Sequence, residues 1–162
     1  MARYYLLLGS NLGNRKQNLD NVLYKIKEKL GNILEKSSVY VTEAWGLEDQ
    51  PDFLNMALIV ESQKNPEQFL QITKVIEKEC GRVPTKKWSP REMDIDILYI
   101  DNQIIQSENF TVPHPGIYHR NFVLIPMIEI AGEFIDPVKN ITMDEIYDEC
   151  TDTKEVFLYD EE

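Results

Sequence analysis

Apolar residues recur along the chain in two patterns, one typical of strands and one typical of helices. Residues 4–8 form an apolar run that ends at a Gly-Ser-Asn turn, which predicts a first strand. Between residues 14 and 30 the apolar side chains recur every three or four positions, which predicts a helix. Gly31 stands where a glycine commonly ends a helix. The chain therefore begins with a strand and a helix.

Three more strands and a second helix complete the predicted core. The strands are expected over residues 37–41, 54–61 and 94–100. Asn65 and Pro66 are typical of the start of a helix, and apolar spacing continues that helix to Gly81. The order strand-helix-strand-strand-helix-strand matches the split βαβ, ferredoxin-like plan, in which helices cover one face of an antiparallel sheet. The predicted fold class is α+β.

The last third of the chain adds smaller elements to this core. We expect a hairpin near residues 103–111, a helix near residues 123–130 and a polar, solvated tail. No internal repeat and no long linker divides the chain. We therefore expect a single domain over residues 1–162.

Composition and charge narrow the possible functions. The 162 residues are 43% hydrophobic and 28% charged, which is ordinary for a globular protein. No apolar run approaches the ~20 residues of a membrane span, and the N-terminal run is too short for a signal peptide, so we expect a cytoplasmic protein. The net charge of −11 argues against nucleic acid or an anionic membrane as partner. Cys80 and Cys150 are interpreted as structural thiols.

A pair of carboxylates interrupts the predicted strand over residues 94–100. Asp94 and Asp96 share one strand face, about 7 Å apart at Cα. Two like charges on one face are unfavourable unless one is protonated or a cation lies against them. One interpretation is the solvent face of an amphipathic strand; the other is a Mg²⁺ site completed by nucleotide phosphates. Met93, Ile95 and Ile97 would then face the core.

A basic segment directly precedes the aspartates. Residues 82–91 contain four cationic residues and no acidic one, within an acidic chain. These cations are Arg82, Lys86, Lys87 and Arg91. The planar, forked guanidinium of arginine and the flexible ammonium of lysine both suit phosphate oxygens. The alternative interpretation is a solvated basic loop. Trp88 could cover a substrate or pin the loop.

Two further segments carry candidate binding residues. The segment PHPGIYHRNF contains His114, His119 and Arg120, which suit phosphate contacts better than a transition metal. Phe122 in the same segment is expected in the core. Phe53 and Asn55 offer an aromatic face and a paired donor and acceptor for a flat heterocycle. The stretch GSNLGN at residues 9–14 matches neither common nucleotide-loop pattern and is interpreted as a turn.

Taken together, these segments resemble the 6-hydroxymethyl-7,8-dihydropterin pyrophosphokinase family. The matching stretches are LLGSNLGNR, DQPDFLNMAL, GRV followed by KKWSPREMDIDIL, and TVPHPGIYHRNFVLIPMIEIA. They occur in the family's order over about four-fifths of the chain. The resemblance implies transfer of the β,γ-diphosphate of ATP to the pterin hydroxymethyl group, releasing AMP, in folate biosynthesis. It also implies a monomer.

The resemblance assigns roles to individual residues. Asp94 and Asp96 match the ligands of two Mg²⁺ ions, and with Arg82 and Arg91 they form the implied catalytic set. The residues that match nucleotide contacts are Arg82, Lys86 or Lys87, Arg91, Ile97, Thr111, His114 and Arg120. Those that match pterin contacts are Thr42, the backbone near Trp45, Phe53, Asn55, Trp88 and Phe122.

The chain departs from the family pattern at a few positions. Pro84 stands where many family members carry a second arginine, and it stiffens a loop that must close. The loop is also one residue shorter than in some relatives, which leaves open whether Lys86 or Lys87 contacts phosphate. Glu43 replaces a common proline near the pterin pocket. No side chain is an obvious general base. The alternatives are another Mg²⁺-dependent transferase that uses an Asp-x-Asp pair and a non-enzymatic ferredoxin-like module.

Overall fold

A computed structural model describes residues 1–10, 14–42, 52–80 and 93–159 of the chain. In these ranges the elements are β1 (Ala2–Ser10), α1 (Arg15–Lys29), β2 (Asn32–Lys36), β3 (Tyr40–Thr42), β4 (Phe53–Ser62), α2 (Pro66–Glu79), β5 (Asp94–Ile100), β6 (Ile105–Gln106), β7 (Thr111–Val112), a 3-10 turn (Ile117–His119), α3 (Asn121–Ala131), α4 (Met143–Glu149) and β8 (Val156–Leu158). Within them no helix is both long and apolar enough to cross a membrane.

The described strands form one antiparallel sheet and one hairpin. In the sheet β1 lies between β5 and β4, β4 also pairs with β2 and β3, and β8 extends the sheet beyond β3. The order β5-β1-β4-β2 is that of a ferredoxin-like core, so the predicted α+β fold is confirmed. β6 and β7 form the predicted hairpin.

Helices cover both faces of the sheet. Apolar side chains of α1 and α2, among them Leu19 and Phe69, pack on one face with Leu6 and Leu8 of β1. We call this the α1/α2 face. The opposite, α3/α4 face carries Tyr5 and Leu7 of β1 under the two later helices. Because both faces are covered, β1 is apolar at consecutive positions instead of alternate ones.

The prediction of one strand over residues 37–41 is wrong, because β2 and β3 are separate strands on the same side of β4. Ser37 is the buried residue between them. Its N–H donates to the Ala57 carbonyl at 2.9 Å, and its Oγ accepts from the Ala57 N–H at 2.9 Å. A side-chain oxygen thus takes the place of a strand carbonyl and interrupts the backbone ladder.

The segment after α3, predicted as a polar tail with a solvated end, contains two elements that the prediction missed. α4 begins with a capping box between Thr142 and Glu145, and it buries Met143 and Ile146 on the α3/α4 face. β8 pairs with β3 and becomes an edge of the main sheet. Both elements are short, so their apolar periodicity is weak in the sequence.

Candidate active site

One row of paired residues crosses four strands at one end of the α3/α4 face. Asp94 of β5 pairs with Gly9 of β1, Gly9 pairs with Asn55 of β4, and Asn55 pairs with Tyr40 of β3. Paired residues point to the same face of a sheet. Two strand spacings separate Asp94 from Asn55, a distance of about 10 Å. The register therefore brings the predicted metal ligands and the predicted heterocycle-binding amide to one surface.

The two aspartates lie on the face that alternation predicts. Asp94 is half-buried and Asp96 is exposed. Met93, Ile95 and Ile97 point the other way and are buried in the α1/α2 core, as expected. The β5 backbone therefore presents both carboxylates on the α3/α4 face while its alternate residues anchor the strand.

The donors at this position fit magnesium. Mg²⁺ commonly takes one or two carboxylates and completes its octahedral shell with water and substrate phosphates. Among the described residues, no group of three or more His, Cys, Asp or Glu side chains is placed to hold a metal ion. Asp94 and Asp96 are thus suited to share an ion with a phosphorylated substrate, whereas a structural zinc site needs four protein ligands.

Glu77 supports the aspartate strand from the opposite face. Its carboxylate is 3% exposed, and Oε2 accepts a hydrogen bond from the N–H of Ile95 at 2.9 Å. Ile95 lies between the two aspartates, so this bond fixes the backbone that carries both. The sequence reasoning missed Glu77, although an acidic residue in register with the apolar stripe of a helix is a detectable signal.

A second group of predicted residues meets on β3 and β4. Asn55 and Thr42 are both buried, and the amide Nδ2 of Asn55 donates to Thr42 Oγ1 at 2.9 Å. Phe53 is half-buried on the same strand face as Asn55. Phe122 comes from the first turn of α3, packs against the α3/α4 core and is half-buried, not fully buried as expected for a core residue. The described residues that are predicted to contact the pterin therefore come from the sheet and from α3.

Gly9 forms the floor between these two groups. A Cβ built at Gly9 would lie 3.1 Å from Asn55 Oδ1 and 3.9 Å from Phe53 Cδ1. The sequence reasoning interpreted Gly9 only as part of a turn. Its place between Asp94 and Asn55 depends on strand register, which the local sequence does not reveal.

The structure defines the protonation of His114. The backbone N–H of His114 donates to the Leu98 carbonyl of β5 at 3.0 Å, and the ring Nδ1 accepts from the Gly116 N–H at 2.9 Å. Burial, followed by the nearby Arg120 charge, lowers the pKa of His114. At neutral pH the ring is therefore uncharged, and the acceptor role of Nδ1 assigns the proton to Nε2. His114 can donate to an anionic oxygen without carrying a charge itself.

The other described nucleotide candidates differ in exposure. Arg120 is exposed, and its guanidinium lies 5.8 Å from the centre of the Phe122 ring. Thr111 is exposed on β7. The Ile97 side chain is only 6% exposed and packs in the α1/α2 core, so a nucleotide contact from Ile97 has only the main chain to use.

Several predicted site residues lie outside the described residues. They are Arg82, Lys86, Lys87, Trp88, Arg91 and Trp45, together with the departures Pro84 and Glu43. The basic segment predicted to contact phosphates is therefore known here only from its sequence, which joins α2 to β5 directly before the aspartate pair.

The fold is shared with solved structures of bifunctional enzymes. A crystal structure of wild-type Plasmodium falciparum HPPK-DHPS with SDX-DHP aligns with a TM-score of 0.70 at 17% identity, covering 92% of this chain and 43% of that one. At this identity the likeness shows the fold alone. The chain spans less than half the length of these bifunctional proteins. The shared feature is thus the α+β fold, with helices packed on an antiparallel sheet.

Sequence comparison identifies the family. Residues 5–132 match the family model of 7,8-dihydro-6-hydroxymethylpterin-pyrophosphokinase (HPPK), and the chain belongs to this family. The chain is 39% identical over 151 residues to 2-amino-4-hydroxy-6-hydroxymethyldihydropteridine pyrophosphokinase of Aquifex aeolicus, covering 93% of this chain and 94% of that protein. It is 41% identical over 130 residues to the Bacillus subtilis protein of the same name, covering 80% and 78%.

Family membership confirms the predicted enzyme class and function. The chain is an ATP-dependent pyrophosphokinase of folate biosynthesis, and its substrate class is the hydroxymethyldihydropterin. The two alternatives, a different Asp-x-Asp transferase and a non-enzymatic module, are therefore excluded.

Proposed function

We propose that the two substrates bind along the row from Asp94 through Gly9 to Asn55. The phosphates would lie at Asp94 and the pterin at Asn55. The register of β5, β1 and β4 supports this arrangement, because it separates the carboxylates from the amide by about 10 Å. A bicyclic heterocycle with a hydroxymethyl arm can span that distance. The reacting oxygen would then lie near the aspartates.

Asn55 and Thr42 orient the pterin in this proposal. Because Asn55 Nδ2 is held by Thr42 Oγ1, the amide is fixed and its Oδ1 faces the space over Gly9. A fixed acceptor can select the ring edge that carries N–H donors. Phe53 and Phe122 would cover the two ring faces, and Trp88 and the backbone near Trp45 would complete the pocket.

Asp94 and Asp96 hold two Mg²⁺ ions in this proposal. When bound, the ions would supply neutralisation of the phosphate charge that develops on the transferring group. The two carboxylates would fix the ions relative to β5, with Glu77 holding the strand between them through the Ile95 N–H. Phosphoryl transfer needs mainly positioning and charge stabilisation, and the proton of the hydroxymethyl group would pass to solvent or to a phosphate oxygen.

Basic and polar groups hold the nucleotide in this proposal. His114 would donate from Nε2 and Arg120 from its exposed guanidinium to phosphate oxygens. Thr111 and the main chain of Ile97 would contact the nucleotide beside β5. Arg82 and Arg91, with Lys86 or Lys87, would contact the phosphates from the segment before Asp94, and the two arginines would support the transferring group.

We further propose that the chain acts as a single-domain monomer in the cytoplasm. The family match over residues 5–132 supports one catalytic unit. Size-exclusion chromatography with light scattering tests the oligomeric state, and a mass near 19.0 kDa is expected.

The proposed reaction is tested by incubating the purified protein with ATP, Mg²⁺ and 6-hydroxymethyl-7,8-dihydropterin and separating the nucleotide products. AMP that appears only when the pterin is present supports diphosphate transfer. ADP would indicate transfer of a single phosphate and contradict the proposal. Omitting Mg²⁺ and adding EDTA tests the metal, and undiminished AMP formation would contradict the proposed role of the aspartates.

A further inference from the structure

Glu129 of α3 is bound to the short segment that leads into β3. Its carboxylate accepts from the backbone N–H of Ser38 at 3.1 and 2.9 Å and from Ser38 Oγ at 3.2 Å. It also accepts from the hydroxyl of Tyr40 at 2.5 Å. One carboxylate therefore joins α3 to residues that are about 90 positions away in the chain.

The two ends of this contact belong to elements that carry pterin-pocket residues. Phe122 lies seven residues before Glu129, two helical turns earlier, so both are on the same side of α3 about 10 Å apart along its axis. Tyr40 pairs in register with Asn55, and Thr42 follows two residues later on the same face. The contact thus lies between the helix that supplies Phe122 and the strands that supply Asn55 and Thr42.

Hydrophobic packing alone does not fix this geometry. α3 also packs through Val123, Leu124 and Met127, which are buried on the α3/α4 face. Apolar burial is non-directional, so it favours contact between helix and sheet without selecting one position along the helix axis. Hydrogen bonds to a carboxylate are directional and stronger than neutral ones, so they do select one position.

The Tyr40 hydroxyl remains a donor over the working range of pH. Burial, followed by the hydrogen bond to Glu129 and its charge, raises the pKa of Tyr40 to about 12. The Ser38 N–H, the Ser38 hydroxyl and the Tyr40 hydroxyl all donate to the Glu129 carboxylate.

We propose that Glu129 is a positioning residue for the pterin pocket, holding α3 against β3 and β4 at the separation that one flat ring between Phe122 and Phe53, with its edge at Asn55, requires. This inference rests on the proposed pterin site. Glu129 acts through Tyr40 and Ser38, and it does not contact the substrate.

The test compares Tyr40→Phe and Glu129→Gln with two control variants. Tyr40→Phe removes one hydroxyl and keeps the ring. Tyr99→Phe is its matched control, because Tyr99 also donates to a carboxylate, that of Asp136 at 2.6 Å, and is fully buried outside the row. Glu133→Gln is the control for Glu129→Gln, since Glu133 is exposed just beyond α3 and has no hydrogen bond or ion pair within the described part of the chain.

Steady-state kinetics with each substrate varied supply the decisive readout. Tyr40→Phe and Glu129→Gln should each raise the KM for the pterin about twofold to tenfold, the effect of losing one hydrogen bond, while the KM for ATP stays unchanged. Tyr99→Phe should lower the thermal midpoint without raising the KM for the pterin, and Glu133→Gln should change neither. Equal effects of Tyr40→Phe and Tyr99→Phe on that KM would reduce Glu129 to a general stabilising contact and overturn the inference.

Asn55→Ala separates failure of this inference from failure of the proposed site. If Asn55→Ala raises the KM for the pterin and the Glu129 and Tyr40 variants do not, the positioning role is wrong and the pocket stands. If Asn55→Ala leaves that KM unchanged, the pocket is elsewhere, and both the site and the positioning role are overturned.

Discussion

At the scale of single residues, the floor of the proposed pterin pocket depends on the absence of a side chain at Gly9. Gly9→Ala would place a methyl group 3.1 Å from Asn55 Oδ1, closer than most such contacts, so the amide or the ring above it must move. We expect the KM for the pterin to rise at least about tenfold, the equivalent of ~1.4 kcal/mol, with the KM for ATP nearly unchanged. Steady-state kinetics with either substrate varied check this.

The thermal midpoint of the Gly9→Ala variant serves as its control. β1 is paired on both sides over its length, and alanine is compatible with an extended backbone, so the fold should persist. A variant that loses affinity for both substrates equally would indicate a general distortion of β1 and contradict a role in the pocket floor.

Asp96→Asn tests the metal assignment with little change in shape. Asp96 is exposed, so its replacement by an isosteric amide should leave the fold intact, whereas removal of one carboxylate weakens magnesium binding. We expect turnover to fall by at least about a thousandfold, in line with the loss of a central electrostatic contribution. AMP formation at several Mg²⁺ concentrations checks this, with Asp148→Asn, at an exposed position of α4, as the unaffected control. Full activity of the Asp96→Asn variant would refute the assignment.

Strand alternation was sufficient to predict which residues of β5 face the core. It correctly oriented Met93, Ile95 and Ile97 away from the two aspartates. It could not find Gly9 or Glu129, because their importance arises from residues paired or packed against them from distant parts of the sequence. The period of a strand is a local property, whereas register and packing are not.

At the scale of elements, a hydrogen bond from the backbone N–H of Ile95 to the buried carboxylate of Glu77 joins α2 to β5. Glu77→Ala should lower the free energy of unfolding by about 1–3 kcal/mol, because the Ile95 N–H loses its acceptor inside the protein. It should also lower kcat, since Ile95 lies between Asp94 and Asp96. Urea unfolding and kinetics check both effects.

Glu77→Gln and Glu79→Ala make this prediction specific. A glutamine oxygen can still accept from Ile95, so Glu77→Gln should retain more stability and more activity than Glu77→Ala. Glu79 is on the same helix but pairs with Lys25 and Lys29 at the surface, so its removal should leave kcat unchanged. If Glu77→Ala and Glu79→Ala behaved alike, a connection between α2 and the aspartate strand would be untenable.

The elements that sequence reasoning predicted well are long, and those it missed are short. β5 over residues 94–100 was predicted with its observed bounds, and both core helices were found from their apolar spacing. The separation of β2 from β3 depends on Ser37 bonding to Ala57, a contact across the sheet. α4 could have been predicted from the Thr142 and Glu145 capping box, but β8 has only three residues and gains its structure by pairing with β3.

At the scale of the whole molecule, element order predicted the sheet but not its second layer. The βαββαβ order restricts the topology strongly, and the observed strand order follows it. The placement of α3 and α4 on the opposite face could not be predicted from the order of the elements. Both faces of the central strands are apolar, so the strand pattern does not tell which helices cover which face. The proposed site lies at the end of this second layer, which explains why its residues are spread along the chain.

A buried carboxylate ties this second layer to the sheet. Asp136 is fully buried, and its two oxygens accept from the hydroxyls of Tyr99 and Tyr118 at 2.6 and 2.8 Å and from the N–H groups of Val138 and Lys139 at 2.7 and 2.8 Å. Burial alone would raise the pKa of Asp136. The hydrogen bonds outweigh burial, and the pKa lies below its usual value.

The lowered pKa predicts how acid affects stability. An aspartate in the unfolded chain has a pKa of about 3.9, so the stabilisation from ionised Asp136 is complete above about pH 4 and is lost as the pH falls through the lower, folded-state pKa. Asp136→Asn should lower the free energy of unfolding by about 1.5–3 kcal/mol at pH 7, because an amide cannot accept all four bonds. Urea unfolding from pH 7 to pH 3 should show the difference between wild type and variant shrinking below about pH 4. A constant difference across this range would mean that Asp136 stabilises the protein through its shape and not through its charge.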